Sequence, residues 1–216
     1  SLIIFLARYY NKIPSTEVNH IKFMIIPIFA IFIPVSFVVN QPDLGTALLI
    51  TITGLFIIWL AGISMKYFVF SSIFATCLMP VVIAFLKPYQ KMRILTFLDP
   101  ERDPLGAGYQ IIQSKIAVGS GGLTGKGYLQ GSQSYLDYLP EKHTDFIFTL
   151  FSEEFGFIGS LLLLTIYALI IYRITKIGAQ SRSNFSKLFC YGFASAFFIF
   201  VAVNMMMVLG LLPIVG

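Results

Sequence analysis

Asp145 is the residue whose setting best suits chemistry. It stands where a polar stretch enters an apolar one, in Leu139-Pro140-Glu141-Lys142-His143-Thr144-Asp145-Phe146-Ile147-Phe148. A carboxylate at such a boundary loses water on one side and becomes a better proton acceptor, as a general base requires. The plainer reading is an acidic residue favoured at a helix start by the macrodipole. Glu153 and Glu154 follow two turns deeper in apolar sequence, where an ionisable group is costly and defaults to a functional or paired role. At about 100° per residue, Glu153, Thr149 and Ser152 fall near Asp145 on a helix, and Glu154 falls opposite. Glu153 is therefore expected at the site and Glu154 as a structural partner to another helix. Asp43, ahead of Leu44-Gly45-Thr46, suits a helix cap as well as it suits a site.

A glycine-rich run, Gly119-Ser120-Gly121-Gly122-Leu123-Thr124-Gly125-Lys126-Gly127, permits positive φ angles and close backbone approach to a phosphate. It is not a P-loop, because Gly127 follows Gly125-Lys126 where Ser or Thr is required. Turn material is the plainer reading; Lys126 beside it is placed to meet a pyrophosphate. His20 and His143 show no metal-ligand spacing and never cluster with Cys77 or Cys190, so the sequence carries no protein-built metal motif. A serine nucleophile with a partner His and Asp is equally unsupported.

The elements that must hold these groups are membrane helices. Of the 216 residues, 57% are hydrophobic and 12% charged, against roughly 25% charged in a soluble domain. That composition excludes a soluble globular protein, a disordered chain and a coiled coil. The net charge of +5 comes from basic residues dispersed among apolar runs, which argues against a nucleic-acid footprint. Five runs have spanning length: Phe23–Val39, Thr46–Gly62, Tyr67–Leu86, Phe146–Tyr172 and Leu188–Leu212. A shorter apolar stretch opens the chain. Pro27 and Pro34 lie inside the second helix, where each removes an N–H donor and invites a kink. Cys77 and Cys190 each sit in an apolar run and read as small buried residues rather than a disulfide.

Cations near span ends stay cytoplasmic, which places Arg8, Lys12, Lys22, Lys66, Arg173, Lys176, Arg182 and Lys187 inside. The segments 40–45 and 87–143 then lie outside, with most of the acidic residues. A segment as long as 87–143 far exceeds the roughly 12 to 15 residues of an unstructured loop, so it is expected to be ordered. Within it, Tyr109, Ile112 and Ile116 recur at helical spacing with Gln110, Gln113 and Ser114 opposite. That pattern predicts an amphipathic helix at the membrane surface. The fold class is all-α: one polytopic transmembrane bundle, 1–216, with a large extracytoplasmic loop, 87–143.

Several blocks in order resemble the SEDS family (shape, elongation, division and sporulation). They are Gln41-Pro42-Asp43-Leu44-Gly45-Thr46, Leu98-Asp99-Pro100 with Gly106-Ala107-Gly108-Tyr109-Gln110, Gly121 to Gly127, Leu139 to Phe148, and Glu153-Glu154-Phe155-Gly156. Gly131-Ser132-Gln133-Ser134 resembles the rod-shape branch more than the division branch. The resemblance implies a ten-helix inner-membrane glycosyltransferase that polymerises lipid II, working with a class B penicillin-binding protein and other elongation-complex proteins. It puts Asp145 at the family's catalytic aspartate and Asp43 at another functionally important acidic position. The chain is read as a central piece, truncated at both ends. The family's Gln-Pro-Ser-Glu block would precede Ser1 and its Ser-Tyr-Gly-Gly block follow Gly216, with cavity walls and a Glu and a Lys of the site.

On that reading Asp145 takes a proton from the attacking sugar hydroxyl, with Asp43, His143, Thr144, Glu153 and Glu154 in substrate-binding or supporting roles. Arg93, Arg102, Lys115 and Lys126 offset the leaving pyrophosphate, with or without a divalent cation. Prenyl chains lie along the amphipathic helix and between spans. A lipid II flippase and a non-catalytic scaffold of the cell-wall synthesis complex are the rivals. The outward bias of the carboxylates favours the enzyme.

Overall fold

A computed structural model of the protein describes residues 1–14, 17–20, 22–41, 43–85, 91–92, 95–97, 99, 106–131 and 145–213. The helices are α1 (Leu2–Asn11), α2 (Lys22–Asn40), α3 (Leu44–Leu60), α4 (Met65–Phe85), α5 (Ala107–Ser120), α6 (Ile147–Gln180) and α7 (Asn184–Val208). No strand occurs among the described residues, as a bilayer-embedded chain without a closed barrel requires. By length and composition α2, α6 and α7 are able to cross a membrane, while α3 and the Met65–Leu78 part of α4 are shorter apolar helices.

The chain divides into two compact units. One holds residues 1–85 and 170–200, the other residues 86–169 and 201–215. In the first, α1, α2 and α3 pack around Leu6, Tyr10, Ile31, Ile57 and Ile58. Asn19 Oδ1 accepts from the Ser64 amide at 2.8 Å, tying loop to loop, and Asn11 Oδ1 from the Phe185 amide at 2.9 Å, tying the end of α1 to the start of α7. α2 runs through Pro27 and Pro34 as one continuous helix. An apolar cavity of about 650 Å³ is lined by Phe5, Ile33, Leu49, Thr53 and Phe200, among others.

The second unit departs from expectation in α6. The sequence predicts one unbroken span over Phe146–Tyr172, whereas the helix continues to Gln180 and is interrupted at Gly156, where φ is 65° and ψ −163°. Arg173 and Lys176 therefore lie on the helix, and only Ser181–Ser183 separate α6 from α7. The remainder of α6 beyond the break, Phe157 to Gln180, is about 36 Å long at 1.5 Å per residue, enough to cross by itself.

Breaking a helix at Gly156 strands the Glu153 and Glu154 carbonyls and the Phe157 and Ile158 amides, which an intact helix would join to one another. The glycine-rich run fills the gap. Lys126 N donates to Glu153 O and Gly127 N to Glu154 O, both at 3.0 Å; Phe157 N donates to Gly122 O at 2.9 Å and Ile158 N to Leu123 O at 3.1 Å. Ser160 Oγ donates to the Gly156 carbonyl at 2.9 Å. Two lost helix bonds are thus replaced by four, one for each stranded group, as backbone away from water demands.

Glycine is required on both sides of the joint. A Cβ at Gly156 would run into Gly125 N and the Leu123 carbonyl, and one at Gly125, whose φ is +80°, into the Glu154 carbonyl. These are backbone atoms, so no side-chain rotation relieves the clash. Gly125→Ala and Gly156→Ala are each expected to cost more than the roughly 1–2 kcal/mol of a left-handed non-glycine residue. Unfolding of purified protein would read this as a lower melting temperature for both, with Gly122→Ala, which has open space around its Cβ position, less affected.

Candidate functional site

Asp145 lies in the turn that leads into α6 and is half-buried, while Phe146 beside it is fully buried against Val118, Phe148 and Val208. The aromatic ring anchors the chain; the carboxylate-bearing residue is left at the edge. The first helical amides bypass Asp145, because Thr149 N and Leu150 N both donate to Phe146 O, at 3.0 and 3.4 Å. The Asp145 carbonyl instead accepts from Asn204 Nδ2 of α7 at 3.0 Å.

A buried hydroxyl node lies one turn further on. Ser114 Oγ of α5 donates to Val208 O at 2.9 Å and is 2.8 Å from Thr149 Oγ1. Since the single Ser114 proton goes to Val208, Thr149 is the donor to Ser114. Ser152 Oγ donates to Thr149 O at 2.9 Å. Thr149 and Ser152, expected on the face of Asp145, are thus buried and bonded within the unit rather than open to a ligand.

The helix predicted over Tyr109–Ile116 exists as α5, with a different buried face. Ile111, Ser114 and Ala117 are buried, and Ile116 is half exposed. Hydropathy placed Ser114 on the outward polar side, but its hydroxyl finds partners inside, and the small Ser114 and Ala117 let α5 lie close to its neighbours.

Beyond these bonds, Glu153 is fully buried and its Oε1 lies 2.6 Å from Lys126 Nζ, whose side chain is 29% exposed. Ser120 Oγ, which donates to Ala117 O at 2.9 Å, lies 3.5 Å from the same oxygen, and the chain at Gly131 passes so close to Oε2 that a Cβ there would stand 2.8 Å from it. The structural pairing assigned from sequence to Glu154 thus falls to Glu153. Glu154 is also buried, and its carbonyl is taken by Gly127 N. Lys126 and the glycines, for which turn material is the plainer reading from sequence and a phosphate cradle the functional one, are turned to α6. Lys115 is exposed, with its side chain over Gly210 in the turn that ends α7.

Asp43 lies in the first unit and caps α3, accepting from Thr46 N at 2.9 Å. Arg93, Arg102, His143 and Thr144 lie outside the described residues. Among the described residues no three His, Cys, Asp or Glu side chains converge as metal ligands. Sequence reasoning passed over Asn204 and gave Gly156 no part in a helix break, although each carried a signal: an amide within an apolar helix and a glycine within a predicted span.

Removing one member of a buried ion pair strands the other charge, at about 3–5 kcal/mol, while replacing both with apolar groups costs far less. Lys126→Met is therefore expected to destabilise the protein strongly, and Lys126→Met with Glu153→Met to recover most of the loss. Melting temperatures of the two variants against the parent measure this; equal losses would remove the pair from the account.

Comparison with known proteins fits this arrangement. The profile of the FtsW/RodA/SpoVE cell cycle proteins matches residues 1–216. The peptidoglycan glycosyltransferase MrdB of Escherichia coli (strain K12) is 47% identical over 217 residues, covering 99% of this chain and 57% of that protein. A probable peptidoglycan glycosyltransferase FtsW of Idiomarina loihiensis is 35% identical, covering 99% of this chain and 52% of its own. A solved structure from a peptidoglycan synthase complex, studied for the coordination of polymerization and crosslinking, superposes with a TM-score of 0.80 at 28% identity. That match covers 100% of this chain and 59% of that one. The chain spans a little over half the length of the relatives it matches. MrdB, of the RodA type, stands nearer than the division-type relative, as the block at 131–134 suggests. With its whole length matched by one profile and its helices superposing on a solved relative, the chain belongs to the FtsW/RodA/SpoVE family, the SEDS proteins.

Proposed function

We propose that the protein polymerises lipid II into glycan strands, as an inner-membrane peptidoglycan glycosyltransferase of the elongation type, with Asp145 as general base. The supporting observation is Asp145 itself: half-buried at the start of a short helical piece that is fastened on several sides. A proton acceptor needs this combination of access and fixed position.

In the reaction a sugar hydroxyl of one lipid-linked disaccharide attacks the anomeric carbon of another from the face opposite its pyrophosphate. The new oxygen–carbon bond forms as the carbon–phosphate-oxygen bond breaks, undecaprenyl pyrophosphate leaves with the electron pair, and Asp145 takes the hydroxyl proton. An α-linked donor gives a β-linked product, an inversion for which a single base suffices. Lys115 among the described cations, with Arg93 and Arg102, offsets the charge of the leaving group; the Lys126 ammonium lies on Glu153. The segment 87–143 faces the extracytoplasmic side. The apolar cavity in the first unit suits a prenyl chain. A class B penicillin-binding protein is the partner, in keeping with the superposition on a subunit of a synthase complex.

The interrupted α6 favours a second reading, since broken helices line the substrate paths of transporters. There the freed helix ends face the cargo; here the four freed groups at Gly156 bond to the glycine-rich run. That difference supports the enzyme over a lipid flippase.

The complete protein with its partner, reconstituted in vesicles, separates the readings. Asp145→Asn is expected to lower lipid II polymerisation by about 10²–10⁴-fold, the usual contribution of a general base, with protein level and partner binding retained. Polymerisation at the parental rate would overturn the assignment, and translocation without polymer would favour the flippase.

A further inference from the structure

The Asp145 carboxylate is useful as a base only if its direction is fixed, and the helix it precedes does not fix it. The earliest amides of α6 converge on Phe146 O rather than on the Asp145 carbonyl. Two residues of α7 restrain the main chain there. Asn204 and Val208 are four apart and share a helix face. Val208 packs on Phe146 and accepts the Ser114 hydroxyl, and Asn204 donates from Nδ2 to Asp145 O at 3.0 Å. We infer that Asn204 is a positioning residue for Asp145, orienting the base through its main chain; this rests on the reading of Asp145 as the base.

The bond goes to a peptide carbonyl, not to the carboxylate. It therefore restrains the Asp145–Phe146 peptide plane, and with it the direction in which the Asp145 side chain leaves the backbone. It does not stabilise one protonation state of the carboxyl over the other by direct contact. An amide in an apolar helix face is otherwise a poor choice, since its polar atoms have to be paired away from water. Phe146 supplies a second restraint on the same peptide through its buried ring, while Asn204 holds the carbonyl. Losing the amide donor frees the peptide to rotate, and a misplacement near 1 Å at a reacting group costs as much as about 10²-fold in rate.

The test uses the complete protein with its partner, scored by lipid II polymerisation across substrate concentration and pH. Asn204→Leu keeps the volume and removes the donor; Asn204→Asp keeps the shape and replaces the donating nitrogen with oxygen, so it serves in the kcat and KM comparison where the leucine variant fails to fold, while the pH midpoint is read on the leucine and glutamine variants because the added carboxyl titrates. Asn204→Gln retains a donor on a longer arm. The expected result is kcat at least about 10-fold lower in the leucine and aspartate variants, KM for the lipid substrate unchanged, the pH midpoint unmoved, and partial recovery with glutamine. Parental kcat in the leucine or aspartate variant would overturn the inference. So would a loss carried wholly by KM, a shifted pH midpoint, or glutamine no better than leucine. Asp145→Asn run in parallel separates the two claims: if it retains activity the base assignment fails, and if it alone loses activity only the role of Asn204 fails.

Discussion

A helix in hydrocarbon has no water to pair with a freed amide or carbonyl, so a break in it must be closed from within the protein. The second unit is organised around one such closure. At Gly156 the ladder of α6 opens, and the strip from Gly122 to Gly127 enters the opening and takes up all four stranded groups. The strip must carry glycine where its backbone meets the backbone of α6. The Lys126 side chain, delivered by that strip, is what makes the buried Glu153 tolerable. The glycine run, the lysine and the carboxylate are therefore parts of a single joint.

The joint also explains how a half-buried carboxylate can be held at the start of a short piece of helix. The part of α6 ahead of Gly156 is too short to span or to be stable alone. It is held at its far end by the glycine strip, in its middle by the Ser114–Thr149 hydroxyl pair, and at its beginning by Phe146 and Asn204. Rigid support on several sides replaces the stability of a long helix. This is the kind of support that leaves a proton acceptor accessible without leaving it loose.

Much of this framework was legible beforehand. α2, α3 and α4 lie within about two residues of the apolar runs that predicted them, because length and hydropathy are the only demands a bilayer makes on a span. Asp43 was legible as a helix cap because capping is local, set by a carboxylate three residues from the amide it accepts. The amphipathic helix was legible in position but not in facing. Ser114 counts as polar on any hydropathy scale, yet its hydroxyl is satisfied inside by Val208 and Thr149, which lie far along the chain. A periodicity argument weighs each residue by affinity for water and has no means of seeing a partner ninety-four positions away.

The sequence by itself determined that the chain is a helical membrane protein of the SEDS family and which side chains are candidates for chemistry. Those properties reside in composition, run length and blocks of adjacent residues. Only the tertiary structure decided what the candidates do to one another. It turned Lys126 and its glycines to α6, gave Glu153 rather than Glu154 the partner, and brought Asn204 to the Asp145 carbonyl. The physical reason is that a polar group buried away from water is defined by what it bonds to, and those partners come from other turns and other helices.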